Sequence, residues 1–151
     1  MPERPTLIAI DHDDHHASHI GCTADGRQFF LTTPFVSRRE GPGGREGAEF
    51  VALFLFDAAG GLVEARIDSF GPRATMDKAA RDACCERRFA ELGEVSLERI
   101  EVAPFSVIRF GVEFGLIAVE PETDEDDWTV HLEPGDYMAF FPPWDSGIYD
   151  T

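Results

Sequence analysis

Residues 50–56 read Phe-Val-Ala-Leu-Phe-Leu-Phe, the longest apolar run in the chain. Seven residues are far short of the roughly 20 that cross a membrane. The run is apolar on both alternating faces, so as a strand it belongs in the middle of a sheet with both sides covered. Asp57-Ala58-Ala59-Gly60-Gly61 then turns the chain. Residues 62–68 return with Val63, Ala65 and Ile67 inward and Glu64, Arg66 and Asp68 outward, which predicts a hairpin.

Similar punctuation recurs along the chain. Residues 6–10 read as a first strand, and 20–23 as a second that leads into Asp25-Gly26. Asp-Gly between apolar runs predicts a type I′ turn. The return strand is 28–35, with Phe29, Leu31, Thr33 and Phe35 on one face and Phe30 and Thr32 on the other. Residues 37–47 hold four Gly, one Pro and three Arg and read as an exposed loop, whereas 95–102 show no clear period. From 108 to 118, Ile108, Phe110, Val112, Phe114, Leu116 and Ala118 face one way, and Gly111 and Gly115 mark bends on the other side. A closing hairpin is predicted from 128–132 and 137–141, ended by Pro142-Pro143.

One segment has a helical period. Thr75 is placed as its cap, Asp77 in its first turn, Leu92 at its end and Gly93 at a left-handed stop. Met76, Ala79, Ala80, Ala83 and Ala90 form the expected inner stripe with Cys85, Phe89 and Leu92 beside it. Arg81, Asp82, Glu86, Arg87 and Arg88 are expected outside. The expected architecture is α+β: a mainly antiparallel twisted sheet built from hairpins, with one amphipathic helix over about residues 75–92 packed on it, in a single domain spanning 1–151.

Charge narrows function. The net charge is −16, and residues 110–151 carry eleven Asp and Glu with no Lys or Arg. Such a surface repels phosphate backbones and anionic membranes and attracts basic protein surfaces. Nucleic acid and membrane are therefore not expected partners; a basic protein surface is. The start of the chain has no signal-peptide pattern, and three cysteines, two of them adjacent, fit reduced thiols in a cytoplasm.

Three clusters are candidate sites. Four of the five histidines, His12, His15, His16 and His19, lie within nine residues beside Asp11, Asp13 and Asp14. Imidazole and carboxylate are ligands for zinc and similar divalent ions, so the cluster is either a metal site or a solvated loop. The run Asp124, Glu125, Asp126 and Asp127 is either a solvated loop or a docking site for a basic partner. The aromatic terminus places Trp144 and Tyr149 either in packing or in a partner groove beside Asp145. No nucleophile elbow or phosphate-binding loop is present, so no catalytic residue is assigned and no enzyme is expected.

His19-Ile20-Gly21, Ala24-Asp25-Gly26-Arg27-Gln28-Phe29-Phe30, Leu55-Phe56-Asp57-Ala58-Ala59-Gly60 and the terminal Pro142-Pro143-Trp144-Asp145-Ser146-Gly147-Ile148-Tyr149-Asp150-Thr151 together carry a resemblance. The chain resembles small bacterial proteins labelled formate hydrogenlyase regulatory protein. The resemblance implies a modulator that opposes a transcriptional activator, and it brings no catalytic residues. The function expected from the sequence is thus a regulatory binding protein acting by contact. The alternatives are a metal-binding protein or metal-dependent enzyme built on the His/Asp cluster, and an immunity protein masking a basic toxin surface.

Overall fold

The computed structural model describes residues 5–12, 18–36, 47–123, 125–134 and 138–144, together with the backbone of 147–149. Its strands are β1 (Ile8–Ile10), β2 (Ile20–Thr23), β3 (Gln28–Thr32), β4 (Phe35–Val36), β5 (Ala48–Phe56) and β6 (Leu62–Ser69), followed after the helix by β7 (Val95–Leu97), β8 (Ile100–Val102), β9 (Phe105–Arg109), β10 (Val112–Val119), β11 (Thr129–Glu133), β12 (Met138–Phe140) and β13 (Gly147–Tyr149). The helix is α1 (Lys78–Ala90). The class is α+β, as the sequence predicts, and the paired strands are antiparallel.

The strands divide between two main sheets. The first runs β4-β5-β3-β2-β7 with β6 also paired to β5, and the second runs β13-β12-β11-β10-β9. A short separate pair joins β1 to β8. β5 is the central strand expected from its sequence, with every residue from Phe50 to Phe56 at most 1% exposed. Phe50, Ala52, Phe54 and Phe56 meet the second sheet, while Val51, Leu53 and Leu55 meet the α1 side. The molecule therefore has three layers, with α1 outermost, the first sheet in the middle and the second sheet beyond it. Rings lock the two sheets together: Phe54 to Phe105 at 4.7 Å and Phe50 to Phe114 at 4.9 Å between centroids, both edge-on. Such pairs add about 0.5–1.5 kcal/mol each beyond the area they bury.

The first two hairpins share one turn. Gly26 N–H donates to Thr23 and Gly60 N–H to Asp57, and only the glycine of each loop has positive φ (+86° and +98°). These are three-residue loops closed by a left-handed glycine, not the type I′ turn predicted at Asp25-Gly26. Positive φ at two successive central residues, the type I′ requirement, occurs instead at Phe110-Gly111 (φ +54° and +72°) between Arg109 and Val112. The alternating segment 108–118 is thus two strands, not one. Phe114 and Leu116 point into the core as expected, whereas Ile108 and Phe110 are 67% and 62% exposed.

Two further corrections concern facing. In β6 the pairing skips from Leu55↔Glu64 to Phe56↔Leu62, a bulge that sends Val63 outward and leaves Leu62, Ala65 and Ile67 on the core. The helix is capped by Asp77, whose side chain accepts from Ala80 N–H, and not by Thr75. Gly93 follows the helix at φ +72°, the left-handed stop that was expected. Ala79, Ala80, Ala83 and Ala90 face solvent, while Cys84, Cys85, Phe89 and Leu92 pack on the first sheet. Area decides this: Phe, Leu and Cys remove far more apolar surface from water than alanine methyls do.

Candidate binding surface

The carboxylates fall into two populations. Acids numbered 91 or lower form ion pairs with arginine: Asp11 with Arg99, Asp25 with Arg27, Glu49 with Arg73, Glu64 and Glu91 with Arg66, Asp68 and Glu91 with Arg88, and Asp82 with Arg81. The strongest geometry is at α1. Arg88 Nε and Nη2 donate to the two oxygens of Asp68 at 3.0 and 3.1 Å, a bidentate pair. Burial alone would raise the Asp68 pKa, but hydrogen bonds from Arg88 and from the Cys84 thiol outweigh it and hold the carboxyl below its ordinary value. Arg88, expected on the outside of the helix, is half-buried because Asp68 meets its charge.

Beyond Arg109 the picture inverts. Glu113, Glu120, Glu122, Glu125, Asp126 and Asp127 are exposed, and none has an ion-pair partner among the described residues. Their contacts are to hydroxyls: Ser106 donates to Glu113 at 2.7 Å and Thr123 to Asp126 at 3.0 Å. Asp124 lies outside the described residues. The acid run 120–127 sits in the loop that leaves β10 at Val119 and returns to β11 at Thr129, so its negative charge overhangs one end of the second sheet.

The other predicted site residues separate. His12 Nε2 lies 3.1 Å from Ser18 O, and Ser18 Oγ lies 3.0 Å from His19 Nδ1. His19 also meets the Phe89 ring edge-on at 5.0 Å, and burial, with His12 nearby, lowers its pKa. His15 and His16 lie outside the described residues. Among the described residues no group of three or more His, Cys, Asp or Glu is gathered for a metal ion. Trp144 is half-buried on the core and its carbonyl accepts from Ala9 N–H at 2.9 Å, a packing role that ties the terminal segment to β1. The backbone of Tyr149 pairs with Met138 in the edge strand β13, and its side chain lies outside the description. Asp145, the third member of the expected groove, lies outside the described residues.

The thiols are held protonated. Burial raises the pKa of Cys84, Cys85 and Cys22, and acidic neighbours raise Cys84 and Cys22 further: Cys84 donates to Asp68 at 3.3 Å and Cys22 to Glu98 at 3.5 Å.

Sequence reasoning missed the outward face of the second sheet. Ile117 is half-buried, and Ile108, Val119 and Phe141 are exposed. The sheet register places Ile108 beside Glu113, and Ile117 beside His131. The even positions of 108–118 attracted attention because they alternate cleanly; the odd positions 117 and 119, which carry the outward apolar surface, were the available signal. An open cleft of about 430 Å³ lies along this face, lined by residues including Glu113, Ile117, Val119, His131 and Glu133. No protein-family model, curated protein or solved structure matches the chain.

Proposed function

We propose that this chain is a binding and regulatory module that acts by contact with a basic surface on another protein. The observation that carries this reading is the segregation of charge: described acids up to residue 91 are extensively paired with arginine, while Glu113, Glu120, Glu122, Glu125, Asp126 and Asp127 have no such pair among the described residues. Unpaired carboxylates on one side speed encounter with a cationic partner and orient it, and exposed apolar side chains hold the complex once formed. A regulator opposing a transcriptional activator, as the resemblance implies, fits this chemistry; so does an immunity protein covering a basic toxin. The module works in the cytoplasm, in keeping with its three unpaired cysteines. Among the described residues no helix is long and apolar enough to cross a membrane.

Capture of partners from a bacterial lysate at two ionic strengths tests the reading. The Debye length falls from about 10 Å at 0.1 M salt to about 3 Å at 1 M, so a charge-steered partner is retained at low salt and released at high salt. Reversing Asp124, Glu125, Asp126 and Asp127 to Lys is expected to abolish capture. Equal capture by the reversed protein would reduce the loop to solvated surface.

A further inference from the structure

The molecule contains two outward sheet faces, and the described helix covers only one of them. On the first sheet, α1 seats Phe89 and Leu92 against Phe29, Leu31 and Leu53, and its Arg88 grips the sheet carboxylate Asp68 at the margin. This is a worked example, within one chain, of how an apolar sheet face edged by acids is closed: by a helix with an apolar ridge and arginines beside it.

The outward face of the second sheet has the same ingredients and lacks the helix. Ile117 and Val119 lie on β10, with Ile108 across from Glu113 on β9 and Phe141 just past β12. Ile108, Val119 and Phe141 are 67%, 46% and 40% exposed, and Val36 of β4 lines the cleft beside Ile117 and Val119. Acids stand at both ends, Glu113 towards the Phe110-Gly111 turn and the 120–127 loop beyond Val119. Arg109 is the only Arg or Lys in the strands of this sheet.

We infer that this face is the docking surface for a cationic amphipathic helix of a partner protein, one that lays an apolar ridge across Ile117 and Val119 and brings Lys or Arg to Glu113 at one end and to the acid loop at the other. The inference rests on the binding-module reading and names its surface and the chemistry of its partner. Charge complementarity selects this occupant over a second copy of the chain, because two molecules of net charge −16 repel when like faces meet. Size agrees as well. Glu113 to Val119 spans about 20 Å of strand, which a helix of about 13 residues matches, the length of α1 itself.

The probe is a synthetic 18-residue peptide with leucines at helical spacing and lysines flanking them, compared with a scrambled peptide of the same composition. Binding is read by fluorescence anisotropy at 10 mM and 150 mM salt, and the surface by NMR amide shifts. The amphipathic peptide is expected to bind at least tenfold more tightly than the scramble at 150 mM salt, with shifts confined to residues 106–119 and 129–133. The double variant Ile117→Ser, Val119→Ser is expected to lose that tenfold preference while keeping its dependence on salt; reversal of Asp124, Glu125, Asp126 and Asp127 to Lys is expected to flatten the salt dependence. Unchanged NMR dispersion in the double variant shows that it still folds. Equal binding of the two peptides, or shifts centred on α1, overturns the docking face and leaves a charge-only binding module. Failure of both peptides to bind at 10 mM salt overturns the module reading itself. A concentration-dependent dimer that buries Ile117 and Val119 also overturns the proposal in favour of a second copy.

Discussion

The first sheet presents Phe29, Leu31, Leu53 and Leu55 to α1, and the charges at that contact close into Asp68–Arg88 and Glu91–Arg66 pairs. The second sheet turns Ile108 and Val119 to solvent, and the acids around them, Glu113 and the described members of the 120–127 loop, meet hydroxyls or water. One face has reached the low-energy end of its chemistry inside the chain; the other has the same apolar and acidic parts with no arginine pair to Glu113 or to the described acids of the 120–127 loop among the described residues. An apolar face satisfied internally contributes to folding, and one left open is free to contribute to association.

The comparison can be attacked first through backbone. The second sheet is held by its core contacts with the first sheet and by its own strand pairing. At Gly115 a Cβ would stand 2.1 Å from the Phe105 carbonyl oxygen. Gly115→Ala therefore has to push β9 from β10, and is expected to cost about 3 kcal/mol, the upper end for overpacking, as read by urea denaturation. Next comes packing. Phe89→Ala on the covered face is expected to cost about 2 kcal/mol, less than a fully buried Phe because Phe89 is only half-buried. Val119→Ala on the open face should stay within about 0.5 kcal/mol. Equal losses at the two positions would mean that Val119 is already covered.

How far the sequence foretold this contrast depends on which interactions are local. β5, the hairpin strands and the glycine stop of α1 follow from runs, periods and turn residues that act over a few positions. Gly111 was legible as a bend; that the bend is a full hairpin turn was hidden because a phenylalanine with positive φ has no local signature. The helix face was misread because four alanines at helical spacing look like a stripe, and only tertiary contact shows that Phe89, Leu92 and the cysteines outweigh them. The skipped residue in β6 and the pairing of β1 with β8 depend on partners distant in sequence. In the candidate surface, the acid excess of 110–151 was legible as composition. That Glu113, Glu120, Glu122, Glu125, Asp126 and Asp127 have no arginine pair among the described residues was not, since pairing is a matter of where Arg66 and Arg88 end up.

Charge offers the next, smaller test. Asp68→Asn removes the carboxylate that Arg88 and Cys84 both use, and is expected to cost about 1–2 kcal/mol. Asp126→Asn is expected to be neutral or slightly stabilising, because it relieves repulsion among neighbouring acids. Loss of stability at Asp126 equal to that at Asp68 would show a hidden cation at the open face.

Acid titration should yield the smallest effect, in two windows. His19 has a lowered folded-state pKa, so the unfolded chain takes up its proton first as pH falls below about 6.5. Stability is expected to decline from there, and His19→Gln should flatten that slope in urea midpoints measured between pH 7 and pH 5. Asp68 also has a lowered pKa, but its contribution is present above the ordinary Asp value of about 3.9 and is lost only as pH falls through its folded value. A slope that persists unchanged in His19→Gln would assign the first window to another group.

The asymmetry of the electrostatic field can be measured without any partner. Paramagnetic relaxation of amide protons by a cationic and by an anionic nitroxide of equal size, at low salt, reports the potential next to each residue. Along Val107–Val119 and Thr129–Glu133 the cationic probe is expected to relax amides several-fold more strongly than the anionic one, and over Lys78–Ala90 the ratio should lie much nearer to one. The same ratio on both sides of the molecule would contradict the account.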